Sequence, residues 1–219
     1  VGRNFIIHGG ESATDGVLLG DCWYLSANST WNDCSVTGVA AQPRPRRGHS
    51  AVFYKDFLFI FGGYATVQGA NREVRLTSEE TMNDAWRLLD YNDPNLRSWR
   101  EIAPSSRSPP PRALHASWMI GGTEGFKVVI HGGQSTDGAG EFATMSDTWR
   151  FDLTTSVWTP YSADPEAPSV ASSMAISVTD SAALVYGGRA QTGKLFGRAM
   201  IFESGKWSRI LPAGNRPVG

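Results

Sequence analysis

The sequence predicts an all-β protein of about four successive four-stranded sheets, the first lacking its innermost strand. Three recurring features predict it. Glycine pairs fall at Gly9-Gly10, Gly62-Gly63, Gly132-Gly133 and Gly187-Gly188, at steps of 53, 70 and 55 residues. Each pair closes a short apolar run: Phe5-Ile6-Ile7-His8, Phe57-Leu58-Phe59-Ile60-Phe61, Val128-Val129-Ile130-His131 and Ala183-Leu184-Val185-Tyr186. After each of the first three pairs comes Asp-x-Trp (Asp21-Cys22-Trp23, Asp84-Ala85-Trp86, Asp147-Thr148-Trp149), and a second tryptophan follows at Trp31, Trp99 and Trp158. The fourth unit has Arg198-Ala199-Met200 in place of Asp-x-Trp and keeps Trp207.

The runs are short, rich in β-branched and aromatic residues, and bounded by Gly, Pro, Ser and Asp, which is the composition of strands. Several are continuously apolar, as strands buried on both faces are. Helical periodicity is poor throughout. Counted from the innermost strand outward as A to D, the first unit reads 5–10, 21–25 and 30–32, and the second 50–54, 57–63, 84–89 and 98–102. The third reads 116–120, 126–133, 147–152 and 157–159, and the fourth 173–178, 182–188, 198–202 and 206–210. Between units lies Pro-Arg-x-x-His, as Pro45-Arg46-Arg47-Gly48-His49 and Pro111-Arg112-Ala113-Leu114-His115. It degenerates to Pro168-Ser169-Val170-Ala171-Ser172 at the third junction, and a last copy begins at Arg216-Pro217-Val218-Gly219.

This order of Pro-Arg-x-x-His, apolar-Gly-Gly, Asp-x-Trp and Trp resembles the kelch repeat, over nearly the whole chain. The resemblance implies a β-propeller, with repeats of about 50 residues forming four-stranded blades around a channel. The blades then cover approximately residues 1–42, 43–108, 109–166 and 167–212, with 213–219 opening a further repeat. The longer step of 70 residues places its surplus in 64–83, 91–97 and 121–125, all loop positions. Kelch rings usually hold six or seven blades, so this segment is expected to be completed by remaining blades of a parent chain or by a second chain. An open arc leaves an unpaired edge at Phe5-Ile6-Ile7, an aggregation liability.

Composition excludes some functions. Basic residues number 20 and acidic ones 21, so no global charge points to nucleic acid or an acidic membrane. No apolar run reaches membrane-spanning length. Sparing use of cysteine, only Cys22 and Cys34, suits a reducing compartment and an intracellular, cytoplasmic location. The sequon Asn28-Ser29-Thr30 keeps a secreted alternative open. The two cysteines flank a hairpin. Directly opposed strand residues seldom match disulfide geometry, so free thiols are expected.

Most repeated residues read as structural. Gly9, Gly10, Gly62, Gly63, Gly132, Gly133, Gly187 and Gly188 serve backbone positions of positive φ and close approach. Trp23, Trp86, Trp149, Trp31, Trp99, Trp158 and Trp207 recur at fixed places and read as blade-to-blade core. Asp21, Asp84 and Asp147 read as acceptors for backbone N–H groups at a strand start. His49 and His115 lack clustered Cys or carboxylate partners at metal-ligand spacing, and His8 and His131 occupy matching places in different blades. Arg46 and Arg112 are placed to bridge blades. No metal, no cofactor and no catalytic residue is expected: there is no tight ligand set, nucleophile elbow, phosphate-cradling loop or acid/base carboxylate couple.

The non-repeated residues carry the functional reading. Strands A and C run one way and B and D the other, so B–C and D–A connections share one end of each sheet. The B–C loops, 11–20, 64–83, 134–146 and 189–197, differ in length and content, as binding loops on a fixed scaffold do. The residue after each glycine pair changes from Glu11 to Tyr64, Gln134 and Arg189. The linkers and the long loop add Arg44, Arg46, Arg47, Arg107, Arg112, Arg72 and Arg75, answered by Glu73, Glu79, Glu80, Asp137, Glu141, Asp164 and Glu166; the bland alternative is an ordinary solvated surface. Kelch resemblance implies a peptide or protein partner on this face, often an acidic one. Arg47, Arg72, Arg75, Arg107 and Arg189 would grip carboxylates, with Tyr64 and Gln134 lining the pocket and Glu11 beside them. The alternatives are a regulatory or substrate-recruiting propeller fused to a phosphatase or ubiquitin-ligase type enzyme, or a kelch-like enzyme such as a sugar isomerase.

Overall fold

A computed structural model of the chain describes residues 5–37, 41–66, 79–103, 107–121, 125–136 and 142–210. Every regular element among the described residues is a β-strand, and none of these residues forms a helix long and apolar enough to cross a membrane. The chain falls into two compact units, Val1–Pro104 and Ser105–Gly219.

In the first unit, β1 (Phe5–Glu11), β2 (Leu18–Leu25) and β3 (Trp31–Asp33) form an antiparallel three-stranded sheet in chain order. After the short β4 (Arg46–Arg47) come β5 (Ser50–Tyr54) and β6 (Phe57–Phe61), then β7 (Tyr64–Thr66), β8 (Glu79–Thr81), β9 (Ala85–Leu89) and β10 (Ser98–Ile102). β5-β6-β9-β10 is a four-stranded sheet with the expected A-B-C-D order. Leu58, Phe59, Ile60 and Phe61 of β6 are all buried, as the continuous apolar run requires of a strand covered on both faces. Leu58, Ile60, Trp86, Leu88 and Trp99 share one core with Cys22 and Cys34 of the preceding sheet.

The second unit repeats the plan twice. β11 (Ala116–Ile120), β12 (Lys127–His131), β13 (Gln134–Thr136), β14 (Phe142–Thr144), β15 (Thr148–Asp152) and β16 (Val157–Pro160) come first, and β11-β12-β15-β16 is the four-stranded sheet. β17 (Met174–Ser177), β18 (Ala182–Tyr186), β19 (Ala199–Glu203) and β20 (Lys206–Arg209) form the second. Between these sheets Trp118, Val129, Ala183, Val185, Met200, Phe202 and Trp207 pack as one core. The observed strands lie within a few residues of the predicted ones. The B–C connections of the second and third sheets hold more order than expected: their first and last residues pair as the hairpins β7–β8 and β13–β14, and β4 adds to the former.

Two expectations are corrected. Cys22 and Cys34 are joined by a disulfide, with Cα atoms 4.9 Å apart, and are not free thiols. The ladder between β2 and β3 breaks at this pair. The Cys34 amide still donates to the Cys22 carbonyl (2.7 Å), but the Cys22 amide turns to Ser35 Oγ (3.0 Å). Released from one of the two ladder bonds, the Cys34 backbone is no longer held in regular strand geometry. The second correction concerns the tryptophans. Trp86, Trp99, Trp158 and Trp207 are buried and Trp149 is half-buried, but Trp23 and Trp31 are 37% and 47% exposed. Both stand on the β1–β3 sheet on the face opposite Cys22. There Phe5 and Ile7 are also exposed and Phe5 meets Trp31 edge-on at 6.3 Å. An eighth tryptophan, Trp118, belongs to the buried core.

Candidate functional site

The end of each sheet that carries the B–C loop is built around its glycine pair. In the third sheet Gly132 and Gly133 have φ of 63° and 90°, a region closed to most side chains. A Cβ on Gly133 would stand 2.7 Å from the carbonyl oxygen of Ala113, and one on Gly132 2.5 Å from that of Val170. The linker before a sheet therefore presses on the second glycine of its own sheet. The linker after it presses on the first. The same contacts recur at Gly9 with Arg46, Gly63 with Arg47 and Gly188 with Ala171.

Beneath the corners of the second and third sheets lies an ion pair whose arginine is fully buried. The Arg46 guanidinium donates to both oxygens of Asp84 (2.8 and 2.8 Å), to the Gly62 carbonyl (2.9 Å) and to the Arg44 carbonyl (3.0 Å). Asp84 also accepts from the Trp86 indole N–H at 2.6 Å. Arg112, Asp147, Gly132 and Trp149 repeat the set, with Arg112 donating to Asp147 at 2.7 and 2.7 Å. The arginines thus tie strands within one sheet, where a bridge between blades was expected. The aspartates serve arginine and tryptophan, where backbone N–H groups were expected. Burial acts to raise the Asp84 and Asp147 carboxyls, and the arginine hydrogen bonds and charge outweigh it, holding both below the usual carboxylate range. The fourth sheet has lost both members together: Val170 stands at the arginine position and Arg198, exposed, at the aspartate position.

The histidines are structural. His131 Nε2 donates to the Pro168 carbonyl (2.9 Å), so its Nδ1 accepts from Thr148 Oγ1 (2.9 Å), and the Trp207 indole donates to the same hydroxyl (3.2 Å). That arrangement needs a neutral ring, and burial lowers His131 to about 4. His8 and His49 lie 3.4 Å apart, nitrogen to nitrogen, and His8 packs on Trp99 as His131 packs on Trp207. Burial lowers them to about 4 and about 3. No group of three or more His, Cys, Asp or Glu among the described residues is arranged to hold a metal.

The candidate binding residues divide by unit. In the first, Glu11, Arg47 and Tyr64 are brought together. Arg47 donates to both oxygens of Glu79 (3.0 and 2.7 Å), pairs with Glu11 (3.3 Å) and lies 4.9 Å over the Tyr64 ring, which is buried. Arg44 pairs with Glu80 at 2.7 Å. The linker arginines here are largely answered by their own loop. Arg72 and Arg75 lie outside the described residues, as do Glu73, Asp137 and Glu141. In the second unit Arg107 is exposed, Gln134 is half-buried and Arg189 is exposed. The backbones of Gln134 and Arg189 bridge to the linker at Ala113 and Ala171. No carboxylate among the described residues pairs with Arg189. A cavity of about 170 Å³ in this unit includes Asp147, Thr148, Asp164 and Trp207 in its wall. Asp147 is held by Arg112, and Asp164 accepts the backbone amides of Glu166 and Trp207. Its two carboxylates are thus both engaged.

Antiparallel four-stranded sheets whose paired-glycine corners are pressed on by linker carbonyls define repeat units of the kelch propeller type. The chain belongs to the kelch-repeat family: residues 1–188 match the family model described as the KLHDC2/KLHL20/DRC7 Kelch-repeats domain. It is 28% identical over 170 residues to Tip elongation aberrant protein 3 of Schizosaccharomyces pombe, covering 71% of this chain and 14% of that protein. It is 31% identical over 148 residues to Acyl-CoA-binding domain-containing protein 4 of Arabidopsis thaliana, covering 67% of this chain and 19% of the other. Kelch domain-containing protein 3 of Rattus norvegicus is 33% identical over 105 residues, 48% of this chain and 22% of that one. The chain thus spans less than a quarter of the length of these relatives. Kelch-repeat domains are generally protein-interaction modules without catalytic activity of their own.

Proposed function

We propose that this chain binds a peptide or protein segment through the B–C and D–A end of its sheets, and that the second unit contributes a cationic contact for an acidic group through Arg189. One observation carries the reading. The residue after the glycine pair keeps the same backbone bridge to its linker in three sheets, at Arg47 with Tyr64, Ala113 with Gln134 and Ala171 with Arg189, while its side chain changes completely. A constant backbone with a variable side chain is how a repeat scaffold presents recognition residues. Arg189 is the strongest single candidate, since its fork suits a carboxylate and no carboxylate among the described residues pairs with it. Arg47 holds Tyr64 and Glu11 in place, so its contribution is to shape the surface. Arg72, Arg75, Arg107 and Gln134 extend the candidate set.

The whole protein's activity belongs to a longer molecule if the proportions of the relatives apply. One relative's name includes an acyl-CoA-binding domain, which favours a recruiting role for the kelch segment beside other domains. A reducing, cytoplasmic home followed from sparing use of cysteine. The pairing of Cys22 with Cys34 weighs against it.

Panning a displayed random-peptide library on the chain tests the binding reading. Enriched peptides should be acidic and should lose about tenfold or more in affinity with Arg189→Glu, a loss of about 1.4 kcal/mol. They should be unaffected by Asp180→Lys in the exposed A–B turn of the same sheet. Peptides that ignore Arg189→Glu and are lost with Asp180→Lys would place recognition at the opposite end.

A further inference from the structure

We propose that Asn28 is an N-glycosylation site, carried at the tip of a hairpin that is closed by the Cys22–Cys34 disulfide. Two independent features of one hairpin lead to this. The first is the acceptor. Asn28-Ser29-Thr30 has the acceptor pattern, with no proline at its centre. All three residues are exposed at the turn between β2 and β3. The turn is well defined: the Ser29 amide donates to the Ser26 carbonyl (2.9 Å), the Ser26 amide donates to the Thr30 carbonyl (3.0 Å), and Ser29 has a φ of 62°. Asn28 is therefore presented at an exposed reverse turn, where a transferase can reach its amide.

The second feature is the bond beneath it. Cys22 and Cys34 are the only cysteines in the chain, so neither has another partner within it. They stand at equal distance in sequence on either side of Asn28, and both are fully buried in the core with Leu58, Ile60, Trp86 and Trp99. A buried protein disulfide persists in oxidising compartments and is rare where glutathione and thioredoxin keep thiols reduced. Those same compartments carry out asparagine-linked glycosylation. The disulfide selects the compartment, and the exposed turn supplies the substrate found there.

The chemistry closes on both counts. In the first step two thiols lose two protons and two electrons to a disulfide-bearing oxidant, which becomes a dithiol. In the second, Asn28 Nδ2 gives up one proton and forms a bond to the anomeric carbon of an N-acetylhexosamine. The bond from that carbon to a lipid diphosphate breaks, and the diphosphate leaves with the electron pair. The placement also suits a binding domain. In the antiparallel meander β1-β2-β3 the β2–β3 turn lies at the opposite end from the β1–β2 loop, so a glycan there leaves the B–C end of this sheet open.

The test uses the protein immunoprecipitated from its source cells. Treatment with a peptide N-glycosidase should increase its gel mobility by one glycan and convert Asn28 to Asp, read by mass spectrometry. After denaturation without reductant, Cys22 and Cys34 should resist alkylation. Expressed in those cells, Asn28→Gln and Thr30→Ala should abolish the mobility change, while Thr30→Ser retains it. Thr30→Ser controls for folding, because it alters the turn and keeps the acceptor pattern. Unmodified Asn28 in the source-cell protein overturns the proposal. So does a mobility change that survives both Asn28→Gln and Thr30→Ala.

Discussion

Arg46 and Asp84, 38 residues apart in the chain, meet in a two-pronged ion pair whose hydrogen bonds both measure 2.8 Å, with the arginine fully buried. Removing one partner leaves a charge in a poorly solvated place, which costs far more than the intact pair contributes. Arg46→Met should therefore lower unfolding free energy by about 3–5 kcal/mol. Arg112→Met should cost less, because the side chain of Asp147 is 40% exposed against 15% for Asp84. Chemical denaturation of both variants gives the comparison. Adding Asp147→Asn to Arg112→Met should recover part of the loss. Strict additivity of the two changes would show that the residues are not coupled.

The tryptophans should separate by burial and not by repeat position. Trp86→Ala and Trp118→Ala should each cost about 3–5 kcal/mol. Trp31→Ala, at an exposed position, should cost well under half of that. A thermal scan in which Trp31→Ala melts as early as Trp86→Ala would mean that the β1–β3 face is covered in solution.

The glycine corners make a sharper comparison. Gly63 has a φ of 97°, and its added Cβ would stand 2.8 Å from the Arg47 carbonyl, while Gly197 has open space around it. Gly63→Ala should destabilise by about 1–3 kcal/mol or more through backbone strain alone. Gly197→Ala should change stability by less than about 1 kcal/mol. Denaturant midpoints decide it, and equal effects would refute the close contact.

Acid should weaken the fold in two stages. His8 and His131 are lowered to about 4 and His49 to about 3, against 6.5 in the unfolded chain. Between pH 6.5 and about 4 the unfolded chain binds more protons, so stability falls as pH falls. The slope is up to about 1.4 kcal/mol per pH unit for each histidine. Asp84 and Asp147 are also lowered, so their contribution is present above the unfolded carboxyl range and is lost below it. His131→Gln should flatten the upper stage in a series of melts at graded pH. An unchanged slope would mean that His131 is protonated in the fold.

The repeat was legible because it is written in local chemistry. A glycine pair, an apolar run and a tryptophan each report on their own few residues, and the strands followed within a few positions. What escaped reading was long-range. Nothing near Arg46 announces Asp84, and their pairing follows from sheet order. Cys34 was misread because Ser35 takes the Cys22 amide and breaks the ladder there. Trp118 falls outside the repeated tryptophan positions and still reaches the core. Leu114 adopts the left-handed backbone that Gly48 adopts at the matching linker position, and a leucine gives no sign of it. The sequence supplied acidic residues to answer the loop arginines but not the pairs: Arg44 meets Glu80 and Arg47 meets Glu79 because both carboxylates stand on the β7–β8 hairpin, in a stretch expected to be plain loop.

The linkers ahead of the second and fourth sheets each press one carbonyl on the first glycine of the sheet behind and the next carbonyl on the second glycine of their own sheet. A stretch running from one linker to the next therefore carries a complete socket and a complete plug. Such a stretch can be copied or deleted in a gene without redesigning its neighbours where the junctions on either side are made by the same two carbonyl-on-glycine contacts. The buried arginine and aspartate do not share that freedom. They lie within one copy, so a copy drifts away from the pair by replacing both members, as in the fourth, where Val170 stands for the arginine and the exposed Arg198 for the aspartate.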